Sequence, residues 1–280
     1  MFGIPLGEFV AFILALAAAG IITGMLAGLF GVGGGAVIVP VLYQVFTTLG
    51  VPEGVRMHLC VGSSLAIIIP TSIQSYRTHR AKGATRMDVL KLWAVPVVVG
   101  TVLGSVLAAF APGLLLKAVF VLIAGSNAIK NLAGREDWRI GADFPGTPTM
   151  RGYGFGIGFA SALMGIGGGA ISNMIFSFYG RSIHQAVATS AGLGVLISIP
   201  GTLGYVIGGW DESMPPELLA LGYVSLTALV LVAPITTLAA PFGARLAHRM
   251  PKRKLEIAFG VFLAIVCARF LYDIVRTLLR

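Results

Sequence analysis

Charged residues are scarce in this 280-residue chain, since Asp, Glu, Lys and Arg make up 11% of it. Soluble globular proteins carry about 25%. Hydrophobic residues make up 56% of the chain, and the mean hydropathy is +0.91. Several stretches of about 18 residues or more contain few or no charges, which is long enough for a helix to cross the hydrocarbon core of a bilayer. The composition predicts an all-α, polytopic membrane protein, and the lack of short alternating segments disfavours a transmembrane β-barrel.

Side chains that usually perform catalysis or bind metals are also few. The two cysteines, Cys60 and Cys267, lie far apart in apolar stretches, so neither a disulfide framework nor a metal-ligand pair is predicted. The four histidines fall near predicted loops or helix ends, and no predicted helix centre carries Asp or Glu. The rival class is a membrane-embedded enzyme or a non-transporting partner subunit. An enzyme of this kind should carry such groups at membrane depth. The sequence therefore predicts no enzymatic activity and no cofactor or metal.

The positive charge is distributed unevenly, although the formal net charge of +9 would by itself suggest a nucleic-acid partner. Basic residues cluster in three loops: Arg77, Arg80, Lys82, Arg86 and Lys91; Lys130, Arg135, Arg139 and Arg151; and Arg245, Arg249, Lys252, Arg253 and Lys254. Loops of this kind are cytoplasmic under the positive-inside rule. The charge is therefore attributed to membrane topology, so the predicted partner is the lipid bilayer and not nucleic acid.

A glycine-rich segment occurs twice, as GVGGGA at 31–36 and as GIGGGA at 165–170. Other matches keep the same order along the chain, including 62–64 with 188–190. Matches in a fixed order indicate a tandem duplication. We predict a first transmembrane repeat over 1–133, a cytoplasmic linker over 134–149 and a second transmembrane repeat over 150–280.

The loop charges also predict the direction of each span. The predicted spans cover 57–77, 89–110, 114–132, 185–207, 218–244 and 254–276. An acidic loop containing Asp211, Glu212 and Glu217 suits the outside, so the three spans of one half run opposite to those of the other. The fold expected is two inverted-topology repeats, each a glycine-broken helical hairpin plus three transmembrane helices, with both termini outside. Whether the hairpins are re-entrant or fully spanning is left open, and the N-terminal apolar run is expected to be a retained first helix.

Each glycine segment interrupts a helix, and the helix that follows begins with unpaired N–H groups and the positive end of its dipole. An anion suits such a position. The alternative is that the glycines only allow helices to cross closely. The predicted substrate-binding residues are these glycines, the hydroxyl pairs that occupy equivalent positions in the two halves, and one amide that is a weaker candidate: Gly33, Gly34, Gly35, Gly167, Gly168, Gly169, Ser63, Ser64, Thr189, Ser190 and Asn173. Hydroxyls donate hydrogen bonds without adding a full charge, although Ser and Thr also bond to their own helix.

The repeated Gly-x-Gly-Gly-Gly motif, the Gly62-Ser63-Ser64-Leu65 and Ala188-Thr189-Ser190 stretches and the basic loop ending at Lys82-Gly83 together resemble the TauE/SafE family of sulfite and organosulfonate exporters. The resemblance covers nearly the whole chain. The first half departs from the usual Thr-Ser pair by having Ser63-Ser64, which keeps a hydroxyl. Membership would imply a multi-pass transporter of the cell inner membrane that exports sulfite, sulfoacetate or a similar small sulfur anion.

The direction of transport and the exact substrate stay open at the level of sequence. An inside-negative potential favours the exit of an anion by about 2.3 kcal/mol per charge per 100 mV. The alternative is an uptake permease for thiosulfate or another small organic anion, with or without a coupling ion. Homo-oligomerisation is equally open.

The predicted topology is tested by cysteine accessibility. A cysteine that replaces Glu212 should react with a membrane-impermeant maleimide added outside intact cells, because the acidic loop is predicted to be external. A cysteine that replaces Arg139 should react only after the membrane is permeabilised. Labelling of the Glu212→Cys variant from the cytoplasmic side would contradict the inverted arrangement.

Overall fold

The computed structural model describes residues 6–30, 35–81, 83, 85–134, 139–141, 143–214 and 218–279. This part of the chain forms ten α-helices and one short β-hairpin. The helices are α1 (Leu6–Phe30), α2 (Gly35–Thr48), α3 (Glu53–Ala81), α4 (Met87–Phe110), α5 (Gly113–Ala133), α6 (Thr147–Met164), α7 (Gly169–Phe178), α8 (Ile183–Gly208), α9 (Leu226–Arg249) and α10 (Lys252–Leu278). The antiparallel strands are β1 (Ala220–Leu221) and β2 (Val224–Ser225).

The predicted all-α membrane fold is confirmed. Within the described residues, six helices are long and apolar enough to cross a membrane, and they lie in α3, α4, α5, α8, α9 and α10. These are the six spans predicted from the sequence. Many large apolar side chains on their outer faces are exposed, such as Val95, Leu122 and Leu238, as expected where lipid replaces water as the solvent.

The helices pack in pairs that mirror each other between the two halves. Helix α1 packs along α9 and α6 packs along α4, while α3 packs against α8 and α5 against α10. The short helices α2 and α7 lie against α3 and α8, respectively. Exchanging each helix of the first half for its counterpart in the second leaves this pairing unchanged. The pairing is the one expected of two related repeats, and their inverted relation stays a prediction.

Side-chain contacts join the loops to each other at two ends of the bundle. At one end the His58 Nε2–H donates to the carbonyls of Ala108 and Ala111, at 3.1 and 2.9 Å, and its ring stacks on Tyr223. This joins the start of α3, the α4–α5 turn and the loop after α8. At the other end Arg253 donates to the carbonyls of Asn131 and Leu132 at the end of α5, where the linker begins.

Two predicted boundaries differ from the structure. The span predicted over 218–244 is wrong at its start, because α9 begins only at Leu226, after the β-hairpin. The turn depends on Gly222, which has a φ of +55° and packs directly against the Val206 backbone, where no side chain would fit. Helix α6 begins at Thr147, before the end of the predicted linker. Pro148 lies in its first turn, where the missing N–H of proline costs no hydrogen bond.

Glycines spaced four residues apart allow α1 and α9, and α4 and α6, to cross closely. A Cβ atom on Gly24 would lie 2.6 Å from the Thr236 carbonyl oxygen, and one on Gly104 would lie 2.6 Å from that of Phe159. These small residues therefore serve close helix packing.

This close packing predicts different outcomes for two glycines of α6. Gly158→Val should lower the melting temperature of the detergent-purified protein by several degrees, because the new side chain overlaps the Val97 carbonyl and overpacking costs about 1–3 kcal/mol. Gly156→Val is the matched control, since nothing lies within 4 Å of a Cβ at that position. Equal melting temperatures for the two variants would argue against close packing of α4 on α6.

Candidate functional site

The break between α6 and α7 is built on two glycines with a left-handed backbone. Gly165 (φ +70°) ends α6, and the N–H groups of Gly165 and Ile166 both bond to the Ser161 carbonyl. Gly168 (φ +77°) precedes α7. Residues other than glycine rarely adopt this backbone conformation. The sequence pattern therefore folds into a helix end, a tight turn and a new helix within a few residues.

The new helix begins inside the protein without a cap. Gly167, Gly168 and Gly169 are all buried, and no side chain caps the start of α7. The first N–H groups of a helix have no partner within it, and about half a positive charge collects there. The Gly168 carbonyl accepts a hydrogen bond from the Ser172 hydroxyl at 2.8 Å. Among the described residues, the first N–H groups of α7 have no hydrogen-bond acceptor outside their own helix.

The two glycine segments meet at this point. Gly33 and Gly34 lie outside the described residues, but Gly35 begins α2 and is buried. A Cβ atom on Gly35 would lie 2.7 Å from Ile166 Cα and 2.9 Å from the Gly165 carbonyl oxygen. The start of α2 therefore packs directly against the turn that precedes α7.

One face of α3 lines the second glycine turn. Ser64, Ile68 and Ser72 follow each other at four-residue spacing and therefore share that face. The Ser64 hydroxyl donates to the Gly165 carbonyl at 2.7 Å, and Ile68 contacts both Gly35 and Gly167. Sequence reasoning singled out Ser64 and missed Ser72, which is buried beside Gly167.

The equivalent face of α8 consists of Ser190, Gly194 and Ser198. Gly194 is where this face crosses α3, since the absent side chain makes room for Ser72 and for the backbone of Gly167. Ser198 Oγ is buried without a hydrogen-bond partner, and Ser72 has none among the described residues. The eight-residue spacing of serines in both halves, from 64 to 72 and from 190 to 198, is the sequence signal that could have found both.

The predicted hydroxyl pairs divide into two roles. Ser63 accepts from the Ser225 N–H at 2.9 Å, and Thr189 accepts from the Arg86 N–H at 3.1 Å. Ser225 and Arg86 directly precede α9 and α4, so these hydroxyls perform the same task in the two halves. A hydroxyl has one proton, and those of Ser63 and Thr189 have no acceptor in the described part of the chain.

Ser64 and Ser190 use their protons differently. Ser64 donates to Gly165, as described above, and Ser190 donates to the Val187 carbonyl of its own helix at 2.9 Å. Neither can donate to a ligand without giving up this bond. Asn173, four residues after Gly169 on α7, has a buried side-chain oxygen without a hydrogen-bond partner. Asn173 is the weaker of the candidates predicted from the sequence, and its amide oxygen is unsatisfied.

The electrostatics of the site come from the backbone. No group of three or more His, Cys, Asp or Glu side chains that could hold a metal occurs among the residues that the structure describes. A side-chain cation, Arg86, lies at the edge, where its backbone contacts Thr189. Its hydrogen bond with Asp88 raises the pKa of the Arg86 guanidinium, so this group stays charged at physiological pH.

Residues 16–270 match the family described as sulfite exporter TauE/SafE. The chain belongs to the TauE/SafE family. It is therefore a multi-pass protein of the cell inner (plasma) membrane, with a role in transport rather than catalysis. No solved structure matches the chain.

Several proteins described as "probable membrane transporter protein" are similar over nearly their whole length. One from Haemophilus influenzae is 30% identical over 91% of this chain and 96% of its own. One from Methanocaldococcus jannaschii is 28% identical over 92% of this chain and 95% of its own. A third, from Bacillus subtilis, is 24% identical over 91% of this chain and 95% of its own.

The hydrogen bond from Ser64 to Gly165 predicts a stability difference between two equivalent serines. Ser64→Ala should lower the free energy of unfolding by about 1–3 kcal/mol, because it leaves a buried turn carbonyl without its side-chain donor. Ser190→Ala should have a smaller effect, since its hydroxyl bonds a carbonyl within its own helix. Thermal unfolding in detergent measures both. A larger loss of unfolding free energy in Ser190→Ala than in Ser64→Ala would contradict the role of Ser64 in supporting the turn.

Proposed function

We propose that this TauE/SafE protein exports a small sulfur oxyanion or organosulfonate, such as sulfite or sulfoacetate, and binds it at the start of α7. The observation that carries the proposal is the buried, uncapped N-terminus of α7 at Gly167, Gly168 and Gly169. The first N–H groups of a buried helix end need a hydrogen-bond partner, and a ligand can supply it. The positive end of the helix dipole makes an anion the suitable one.

The polar groups around this helix end suit weak and reversible binding. The Ser72 and Ser198 hydroxyls have no hydrogen-bond partner among the residues that the structure describes, and they can donate to an oxyanion, as can the amide nitrogen of Asn173. A buried polar group without a partner costs about 1–3 kcal/mol, which a bound oxyanion would partly recover. Backbone dipoles and hydroxyls attract an anion less strongly than a buried arginine would, and a transporter must also release its substrate.

The proposed transport cycle uses two equivalent half-sites. In the repeated motif, Gly33 and Gly34 correspond to Gly167 and Gly168, and they are the sequence-predicted residues of the other half-site. Ser63 and Thr189 would donate their hydroxyl protons to the anion. The mirrored helix pairs and the equivalent contacts of Ser63 and Thr189 support an inverted repeat. In such folds, broken helices from both repeats meet near the midplane and one repeat moves against the other. The contact of Gly35 with the second glycine turn fits that arrangement.

Efflux from liposomes tests the function. Purified protein is reconstituted with sulfite, thiosulfate, sulfoacetate or sulfate inside, and efflux is followed as the membrane potential is varied. Faster efflux of a sulfur anion at an inside-negative potential supports export. Accumulation against that potential would instead support an uptake permease. No anion crossing faster than in protein-free liposomes would refute transport of this class.

The unpartnered serines give the residue-level prediction. Ser72→Ala combined with Ser198→Ala should reduce efflux at least about tenfold, because the loss of two hydrogen bonds to a charged ligand removes about 1.5–3 kcal/mol each. Folding should be preserved, since the Ser198 hydroxyl has no hydrogen-bond partner and the described residues offer none to Ser72. The matched control is Ser126→Ala, whose hydroxyl is on the exposed face of α5. Equal efflux from both variants would place the anion elsewhere.

A further inference from the structure

A short strap of the linker between the two halves lies across the end of α7. We define the strap as residues 139–146, of which 142 is outside the described residues. The Ile140 N–H donates to the Phe178 carbonyl at 2.9 Å, at the last residue of α7. Asp143 forms an ion pair with Arg181 at 2.7 Å. The strap is therefore bonded both to the end of α7 and to the turn before α8.

An aromatic side chain of the strap covers two arginines. The Phe144 ring packs against Phe176 and Tyr179 of the α7 end, with ring centres 5.3 and 5.5 Å away. The guanidinium carbons of Arg181 and Arg86 lie 5.1 and 6.0 Å from the centre of the same ring. One ring thus brings together cations from the start of α4 and the start of α8.

In the described part of the chain, these two arginines keep donors that are not used. Arg86 pairs with Asp88 and Arg181 pairs with Asp143, and both carboxylates are mostly exposed, at 62% and 88%. The Arg181 Nε atom is buried and has no hydrogen-bond partner. A guanidinium has five N–H donors in a planar fork that matches the oxygens of a sulfonate or sulfite. An exposed carboxylate holds such a group only weakly, because water screens the pair.

The arginine pair is connected to the proposed substrate site in two ways. The Arg86 N–H bonds the Thr189 hydroxyl, one residue before the Ser190 face of α8. Arg181 follows α7, a helix of 10 residues whose other end is the glycine turn. At 1.5 Å per residue, about 15 Å separates the arginine pair from that turn.

We propose that Arg86 and Arg181 form a capture site for the transported oxyanion at the cytoplasmic face, and that the strap covers it through Asp143 and Phe144. The inference rests on the proposed function and its topology. The incoming anion exchanges with Asp143 for the Arg181 guanidinium, so the charge of Arg181 stays balanced throughout. When the ion pair breaks, Phe144 can move away from Phe176 and Tyr179. This movement opens the path along α7.

Binding is tested directly by arginine modification. Phenylglyoxal modification of the reconstituted protein is measured by peptide mass spectrometry with and without sulfoacetate; sulfite is avoided because it adds to the aldehyde of the reagent. Sulfoacetate should slow the modification of Arg86 and Arg181 several-fold. Arg253, which is also paired with a carboxylate and bonded to backbone carbonyls, is the matched control and should not be protected. No protection, or equal protection of all three, overturns the capture site.

The strap is tested by weakening its ion pair. Asp143→Asn should lower the sulfoacetate concentration that gives half-maximal protection of Arg181, because the anion no longer competes with a carboxylate. An unchanged or higher concentration would contradict the covering role of the strap.

Efflux kinetics separate this inference from the proposed function. Arg86→Gln with Arg181→Gln should raise the half-saturating internal anion concentration about tenfold or more, from the loss of charge-assisted hydrogen bonds, with the maximal rate nearly kept. Arg253→Gln should leave both values unchanged. If the unmodified protein moves no anion, the proposed function fails, and the protection assay still decides whether the arginines bind one. Efflux with unchanged half-saturation in the double variant overturns the capture site alone.

Discussion

Within an apolar bundle, backbone N–H and C=O groups must find partners inside the protein, and the turn between α6 and α7 breaks the regular helical pairing that supplies them. The structure repairs most of this loss locally. The Ser161 carbonyl takes two N–H groups, the Ser64 hydroxyl reaches the Gly165 carbonyl, and the Ser172 hydroxyl reaches the Gly168 carbonyl. Among the described residues, the N–H groups at the start of α7 are the donors that remain without a partner outside their helix. These N–H groups form the candidate site.

The arrangement of the central helices follows from the same turn. Helix α3 must place Ser64 against Gly165, and its next turns then bring Ile68 and Ser72 onto the glycine backbone. Helix α8 can approach from the other side only because Gly194 has no side chain at the crossing. The close crossing of α4 with α6 serves the same end, since it holds the helix that leads into the break without bulky residues between the two helices.

Sequence reasoning was most successful where one local property decides the structure. Hydrophobic length predicted the six spans, and the repeated glycines predicted the helix break, because glycine tolerates the left-handed conformations observed at Gly165 and Gly168. It failed at 218–225, which is apolar enough to resemble a helix. There the deciding factor is the close contact of Gly222 with the backbone of α8, and such a contact between distant residues leaves no periodic signal in the chain.

By itself, the sequence determined that this chain spans a membrane and that the glycine segment at 165–169 breaks a helix, because burial in lipid and backbone sterics act residue by residue. The relation between the two halves stays a prediction. Only the tertiary structure decided how the hydroxyls divide their roles. Ser63 and Thr189 accept backbone N–H groups, Ser64 supports the turn, and Ser72 lies beside Gly167. A hydroxyl can donate or accept, so its role is set by the partner that folding brings to it.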